Sequence, residues 1–122
     1  MKKRILIVED QHDNRQILRD LLVPAGYDLI EAWDGEAAIV KAKAERPDLI
    51  LMDIQLPGID GYEATRQIKA DPSLKATPVL AVTSYALAGD EEKTRLAGCD
   101  GYVAKPYSPR QLLKKIREVM PQ

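Results

Sequence analysis

Three uninterrupted apolar runs constrain this chain more than any other feature: Ile5 to Val8, Leu49 to Met52 and Val79 to Val82. A strand with one wet face alternates apolar and polar residues. A short continuous run bounded by turn formers predicts instead a strand buried on both faces, as in a parallel sheet. Tyr27 to Glu31 and Gly101 to Ala104 are weaker candidates of the same kind. Between the runs, apolar residues recur at helical spacing. Ile17, Leu18, Leu21 and Leu22 share one face, and Ala37, Ala38 and Ala42 follow Asp34-Gly35. Tyr62, Ala64 and Ile68 form a third set, Leu87 to Leu96 a fourth, and Leu112, Leu113, Ile116 and Val119 a fifth.

Punctuation supports these segments. Ser108-Pro109-Arg110-Gln111 offers a serine cap, proline at the first helical position and glutamine at the third, which is the capping-box pattern. Asp60 with Glu63 repeats the idea, and Gly26 and Gly98 stand where left-handed helix ends are expected. Pro24 removes a backbone donor near the expected end of the first helix. Strand and helix alternate five times with short connections, and parallel neighbours need crossovers that cover both faces. The expectation is (βα)5, a doubly wound α/β domain with a five-stranded parallel sheet. At 122 residues the chain matches one domain of the usual size of about 150. With no repeat, low-complexity tract or linker visible, residues 1–122 are expected to form that single domain, and the start at Met1 suggests a complete protein.

Charge and cysteine content exclude several functions. Lysine and arginine number 18 against 19 acids, a net −1, so binding to nucleic acid through bulk charge is not expected. The single cysteine, Cys99, excludes a disulfide framework and any multi-cysteine zinc site. Met1-Lys2-Lys3-Arg4 resembles the start of a signal peptide, but only Ile5 to Val8 follow before Glu9 and Asp10. That run is too short for a leader core or a membrane span. A soluble, cytoplasmic domain of a reducing compartment is expected.

In open α/β sheets ligands bind beyond the carboxyl ends of the strands. Here the first strand ends in Glu9-Asp10, the third in Asp53 and the fourth in Thr83-Ser84, while the fifth leads to Lys105-Pro106. Clustered carboxylates repel unless a cation intervenes, and oxygen-only ligands suit a hard divalent ion such as magnesium. Thr83 and Lys105 can hold phosphate oxygens, one by hydroxyl donation and one as a point charge. A carboxylate nucleophile beside magnesium and phosphate ligands points to an aspartyl-phosphate site.

At these residues the chain resembles the CheY-like receiver domain of bacterial two-component response regulators, across essentially its whole length. The resemblance rests on Ile7-Val8-Glu9-Asp10, on Leu51 to Gly61, on Val82-Thr83-Ser84 and on Ala104-Lys105-Pro106, in this order and at these separations. It implies the flavodoxin/CheY-like strand order 2-1-3-4-5. It also implies a stand-alone response regulator whose Asp53 accepts a phosphoryl group from a phosphohistidine on a sensor histidine kinase or histidine phosphotransfer protein. Asp10 and Asp53 are implied as direct Mg2+ ligands, Glu9 as a ligand through water, and the Gln55 backbone carbonyl as a further ligand. Lys105 would contact the phosphoryl oxygens, with a cis bond to Pro106. Thr83 and Tyr102 are implied as a switch pair. Gln55 and Tyr85, two residues beyond Asp53 and Thr83, would tune phosphoryl lifetime. The implied output face lies on the fourth helix, fifth strand and fifth helix, including Leu87, Tyr102, Tyr107 and part of Arg110 to Arg117. It would bind a downstream protein, with no direct contact to nucleic acid or membrane.

Other residues have plainer readings. His12 is expected to face solvent, Cys99 to pack as a small apolar residue, and Trp33 to sit on the surface. Arg110, Lys114, Lys115 and Arg117 read as a solvated helix face. Such a chain would not be an enzyme beyond its own phosphorylation and dephosphorylation. A phosphatase with a phosphoaspartyl intermediate is the alternative in another class, but Gln55 stands where such an enzyme needs an acid. A nucleotide or flavin binder lacks support, because Glu9-Asp10 replaces a glycine-rich phosphate loop after the first strand. A receiver excised from a larger regulator or hybrid kinase is the remaining alternative.

Overall fold

Five strands and five helices alternate along the chain in a computed structural model that describes residues 2–83 and 90–120. In order they are β1 (Arg4–Val8), α1 (His12–Leu22), β2 (Asp28–Ala32), α2 (Gly35–Glu45), β3 (Leu49–Asp53), α3 (Gly61–Ala70), β4 (Val79–Thr83), α4 (Asp90–Ala97), β5 (Gly101–Ala104) and α5 (Pro109–Val119). The strands form one parallel sheet in the order β2-β1-β3-β4-β5, as expected.

The continuous apolar runs have a simple physical reason. Successive side chains of a strand point to opposite faces, and here both faces are covered. Leu6, Val8, Ile50, Met52 and Ala81 pack into one core with Ala38, Ala42, Ala64 and Ile68 from α2 and α3. Ile5, Ile7, Leu51, Leu80 and Val82 pack into the other with Leu18 and Leu22 of α1 and Leu112 and Ile116 of α5. Among the described residues no helix is long and apolar enough to cross a membrane.

The caps follow the expected chemistry. Ser108 accepts from the Gln111 backbone N–H while the Gln111 side chain accepts from the Ser108 N–H. Asp60 accepts from Glu63 N–H at 2.9 Å, and Asp34 caps α2 through Ala37 N–H at 2.7 Å. After α4, Gly98 takes φ +102, and the Cys99 N–H reaches back to the Thr94 carbonyl at 3.0 Å.

Several details differ from the sequence expectation. Helix α1 ends at Leu22, ahead of Pro24, so the proline ring interrupts nothing. The strand β1 stops at Val8, so Glu9 and Asp10 follow it rather than end it, whereas β3 and β4 run one residue past their apolar runs to Asp53 and Thr83, as the placement of the acids expected. Ile17, expected on the buried face of α1, is 58% exposed. The buried stripe of that helix is Arg15, Leu18 and Leu22, at helical spacings of three and four. The fourth helical set was placed from Leu87, which lies outside the described residues, as do Ser84 and Tyr85.

Candidate functional site

Parallel strands deliver all their carboxyl ends to one edge, and register decides which residues meet there. Val8 pairs with Met52, so Glu9 and Asp53 come next side by side; Asp53 pairs with Val82, and Thr83 with Ala104. Glu9 and Asp53 are buried, at 3% and 7% exposure, whereas Asp10 is exposed at the rim. Carboxylate oxygens of Glu9, Asp10 and Asp53 lie within 4.8 Å of one another. Lys105 completes the cluster: its ammonium stands 3.5 Å from Glu9 Oε1 and 3.7 Å from Asp53 Oδ2. The Lys105 backbone is itself tied to β4, since its N–H donates to the Thr83 carbonyl at 2.7 Å. The bond from Lys105 to Pro106 is cis.

Local backbone contacts hold the other partners. Asp53 Oδ1 accepts from the Gln55 backbone N–H at 2.9 Å, which leaves Oδ2 on the side of Lys105. Gly61 opens α3 hard against the end of β3: a Cβ at this position would lie 2.4 Å from the Asp53 carbonyl oxygen. Only glycine permits that approach.

Electrostatics show the crowding. Partial removal from water, followed by the hydrogen bond and charge of Glu9, pushes the Asp10 carboxyl above its ordinary range, with Lys105 opposing. Burial, then the charges of Glu9 and Asp53, pushes the Tyr107 phenol up as well. Tyr107 therefore borders the acids. Beside them a cleft of about 510 Å3 opens between α1 and the turn after β5, lined by Ile17, Leu18, Pro106 and Tyr107 together with Asp53 and Lys105.

The donor set fits magnesium. Octahedral Mg2+ holds oxygens at about 2.1 Å, so its ligands lie roughly 3 to 4 Å apart. Carboxylate oxygens within 4.8 Å of one another suit two such direct ligands, Asp10 and Asp53, with Glu9 near enough to act through water.

The structure brings together Glu9, Asp10, Asp53 and Lys105, and places Thr83 buried at the end of the adjoining strand. Gln55 is exposed next to Asp53, and Tyr102 is half-buried against the α2/α3 core. Tyr85 lies outside the described residues. His12 is exposed, 3.6 Å from the Asp13 carboxylate. Cys99 is half-buried beside Thr65, and burial pushes its thiol up to about 11.

Sequence reasoning missed Arg15. It is 7% exposed, donates from Nη1 to the Glu9 carbonyl at 2.9 Å, and lies over the Trp33 ring at 4.6 Å from its centroid. The available signal was its spacing to Leu18 and Leu22, set against the habit of assigning charge to the wet face.

A sheet of this order, with acids and a lysine at its carboxyl edge, is the arrangement expected of a signalling receiver domain, and comparison with known proteins places the chain in that class. A family model described as response regulator receiver domain matches residues 5–117, and the chain belongs to that family. It is 43% identical over 120 residues to the polar-differentiation response regulator DivK of Brucella anthropi, an alignment covering 98% of each chain. Among solved structures, chemotaxis protein CheY4 of Vibrio cholerae superposes with a TM-score of 0.93 at 30% identity, over 98% of this chain and 100% of that one. The receiver domain of sensor histidine kinase PA1611 from Pseudomonas aeruginosa, solved with a magnesium ion coordinated in its active-site cleft, gives 0.90 at 37% identity, over 98% of both chains. The chain is thus a receiver domain of two-component signalling, similar both to a stand-alone regulator and to a kinase-borne receiver.

Proposed function

We propose that residues 1–122 act as a single-domain response regulator in which Asp53 is the phosphoacceptor. The observation that carries this reading is the placement of the Lys105 ammonium between the buried carboxylates of Glu9 and Asp53, with Asp10 completing the acid cluster.

In the transfer, a carboxylate oxygen of Asp53 forms a bond to phosphorus as the phosphorus–nitrogen bond of a phosphohistidine breaks, and the imidazole leaves with the electron pair. The donor is a sensor histidine kinase or a histidine phosphotransfer protein. Asp10, Asp53, the Gln55 backbone carbonyl and, through water, Glu9 would hold a magnesium ion, which when bound would supply positive charge against the phosphoryl oxygens. Lys105 supplies a second positive charge and Thr83 a hydroxyl donor at the end of β4. Pinning of Asp53 Oδ1 by Gln55 N–H orients the carboxylate before the donor arrives.

The product carries new charge that Thr83 and Lys105 bind, and Tyr102 on β5 repacks behind Thr83. The phosphoryl group thereby biases a two-state equilibrium. The readout is the face of α4, β5 and α5, including Tyr102, Tyr107 and part of Arg110 to Arg117, where a downstream protein docks. Leu87, placed on the same face, lies outside the described residues. Gln55 and Tyr85 set the lifetime of the acyl phosphate by controlling the approach of water. The protein works in the cytoplasm, on protein partners rather than nucleic acid or membrane, and turns over no substrate besides its own phosphoryl group.

The test is labelling with acetyl phosphate or phosphoramidate in the presence of magnesium. Wild type gains one phosphoryl group and Asp53→Asn gains none. Retained labelling of the variant at another residue would refute the assignment.

A further inference from the structure

A buried guanidinium is costly unless its hydrogen bonds and charge are matched, so the partners of Arg15 indicate what it is for. Its Nη1 donates to the Glu9 main-chain carbonyl at 2.9 Å, and its Nε faces Glu31 Oε1 at 3.7 Å. The flat of the group lies on Trp33, with 4.6 Å from Cζ to the ring centroid. Glu31 is also held from the solvent side by Arg19. The carbonyl of Glu9 belongs to the peptide unit that joins Glu9 to Asp10. The N–H of Glu9 is tied as well, donating to the Ala32 carbonyl at 3.1 Å. The backbone that carries the acid pair is therefore held from both sides, by Ala32 of β2 at the Glu9 N–H and by Arg15 of α1 at the Glu9 carbonyl.

We propose that Arg15 is a positioning residue for the acid pair: its guanidinium fixes the peptide plane between Glu9 and Asp10, and with it the approach of both carboxylates to a divalent cation. This rests on the reading of the cluster as a magnesium site. Three directions are used at once, a face on Trp33 and two edges on Glu31 and Glu9, and a planar fork can serve them where an ammonium cannot. Partners that orient metal ligands typically govern affinity by about 10- to 100-fold when removed.

The sign of the effect separates positioning from charge. Arg15 is a cation near a cation site, so removing it strengthens magnesium binding if only long-range electrostatics matter. Positioning predicts the reverse.

The test is calorimetric titration of the intact protein with magnesium chloride at fixed ionic strength, paired with melting curves in EDTA. Arg15→Met keeps most of the buried volume and is expected to bind magnesium roughly tenfold more weakly or worse. Arg15→Lys keeps the charge in case the apolar variant does not fold, and is also expected to bind more weakly than wild type. Glu31→Gln, which weakens one of the three holds on Arg15 but leaves its bond to Glu9, is expected to weaken magnesium binding less than either Arg15 variant. A purely structural role lowers the melting temperature but leaves the dissociation constant unmoved. Wild-type affinity or tighter in a folded Arg15 variant would overturn the inference. Absence of magnesium binding by wild type would instead overturn the reading of the site on which it rests.

Discussion

Replacing Asp10 by asparagine in the absence of magnesium should stabilise the protein, against the usual outcome of altering a site residue. The carboxylate oxygens of Glu9, Asp10 and Asp53 fall within 4.8 Å of one another, with Lys105 as the nearby cation. At that separation two like charges repel by about 1 kcal/mol under water-like screening and about 3.5 kcal/mol at an effective dielectric of 20. Asp10 is exposed, so the weaker figure applies, and about 1 kcal/mol corresponds to a rise of roughly 4 °C in melting temperature. The pH dependence has a definite sign. Burial and Glu9 raise the Asp10 carboxyl in the folded state, so the folded protein holds that proton more tightly than the unfolded chain does. The wild-type disadvantage is complete at neutral pH. It fades as the pH falls through the raised value toward the ordinary 3.8, and the variant's advantage disappears with it. Magnesium inverts the order: at about tenfold above its dissociation constant it adds about 1.4 kcal/mol to wild type, which the variant largely forgoes. Circular-dichroism melts between acid and neutral pH, in EDTA and in magnesium, read all three effects. A variant that melts lower than wild type in EDTA at neutral pH would refute the crowding argument.

Two further outcomes follow from particular contacts. Gly61→Ala places a Cβ against the Asp53 carbonyl oxygen and should cost about 1 to 3 kcal/mol in urea unfolding; an unchanged midpoint would mean that α3 shifts freely. Cys99, its thiol pushed up to about 11, should react with a maleimide near pH 8 far more slowly than free cysteine. A rate equal to that of free cysteine would contradict its burial.

The central strands were legible because both faces of β1, β3 and β4 are buried, which forces unbroken apolar runs. The edge strand β2 was harder: Glu31 interrupts it, and only the fold shows that Arg15 and Arg19 reach across from α1 to pair with that carboxylate. The acids and Lys105 were legible because strand ends in a parallel sheet must share an edge. The structural part of Arg15 was not, since its burial depends on Trp33 and Glu31, far along the chain from the helix that carries it. The end of α2 was hidden for a similar reason. Arg46 takes φ 49 without being glycine, and the following Pro47 disfavours the ordinary helical conformation there.

The most direct test of the central claim is chemical trapping of the phosphorylated protein. Phosphorylation with phosphoramidate and magnesium, reduction with borohydride and peptide mass mapping should convert Asp53 to homoserine and leave Glu9 and Asp10 intact. Homoserine at any other aspartate, or none under conditions where the protein takes up phosphate, would contradict the account.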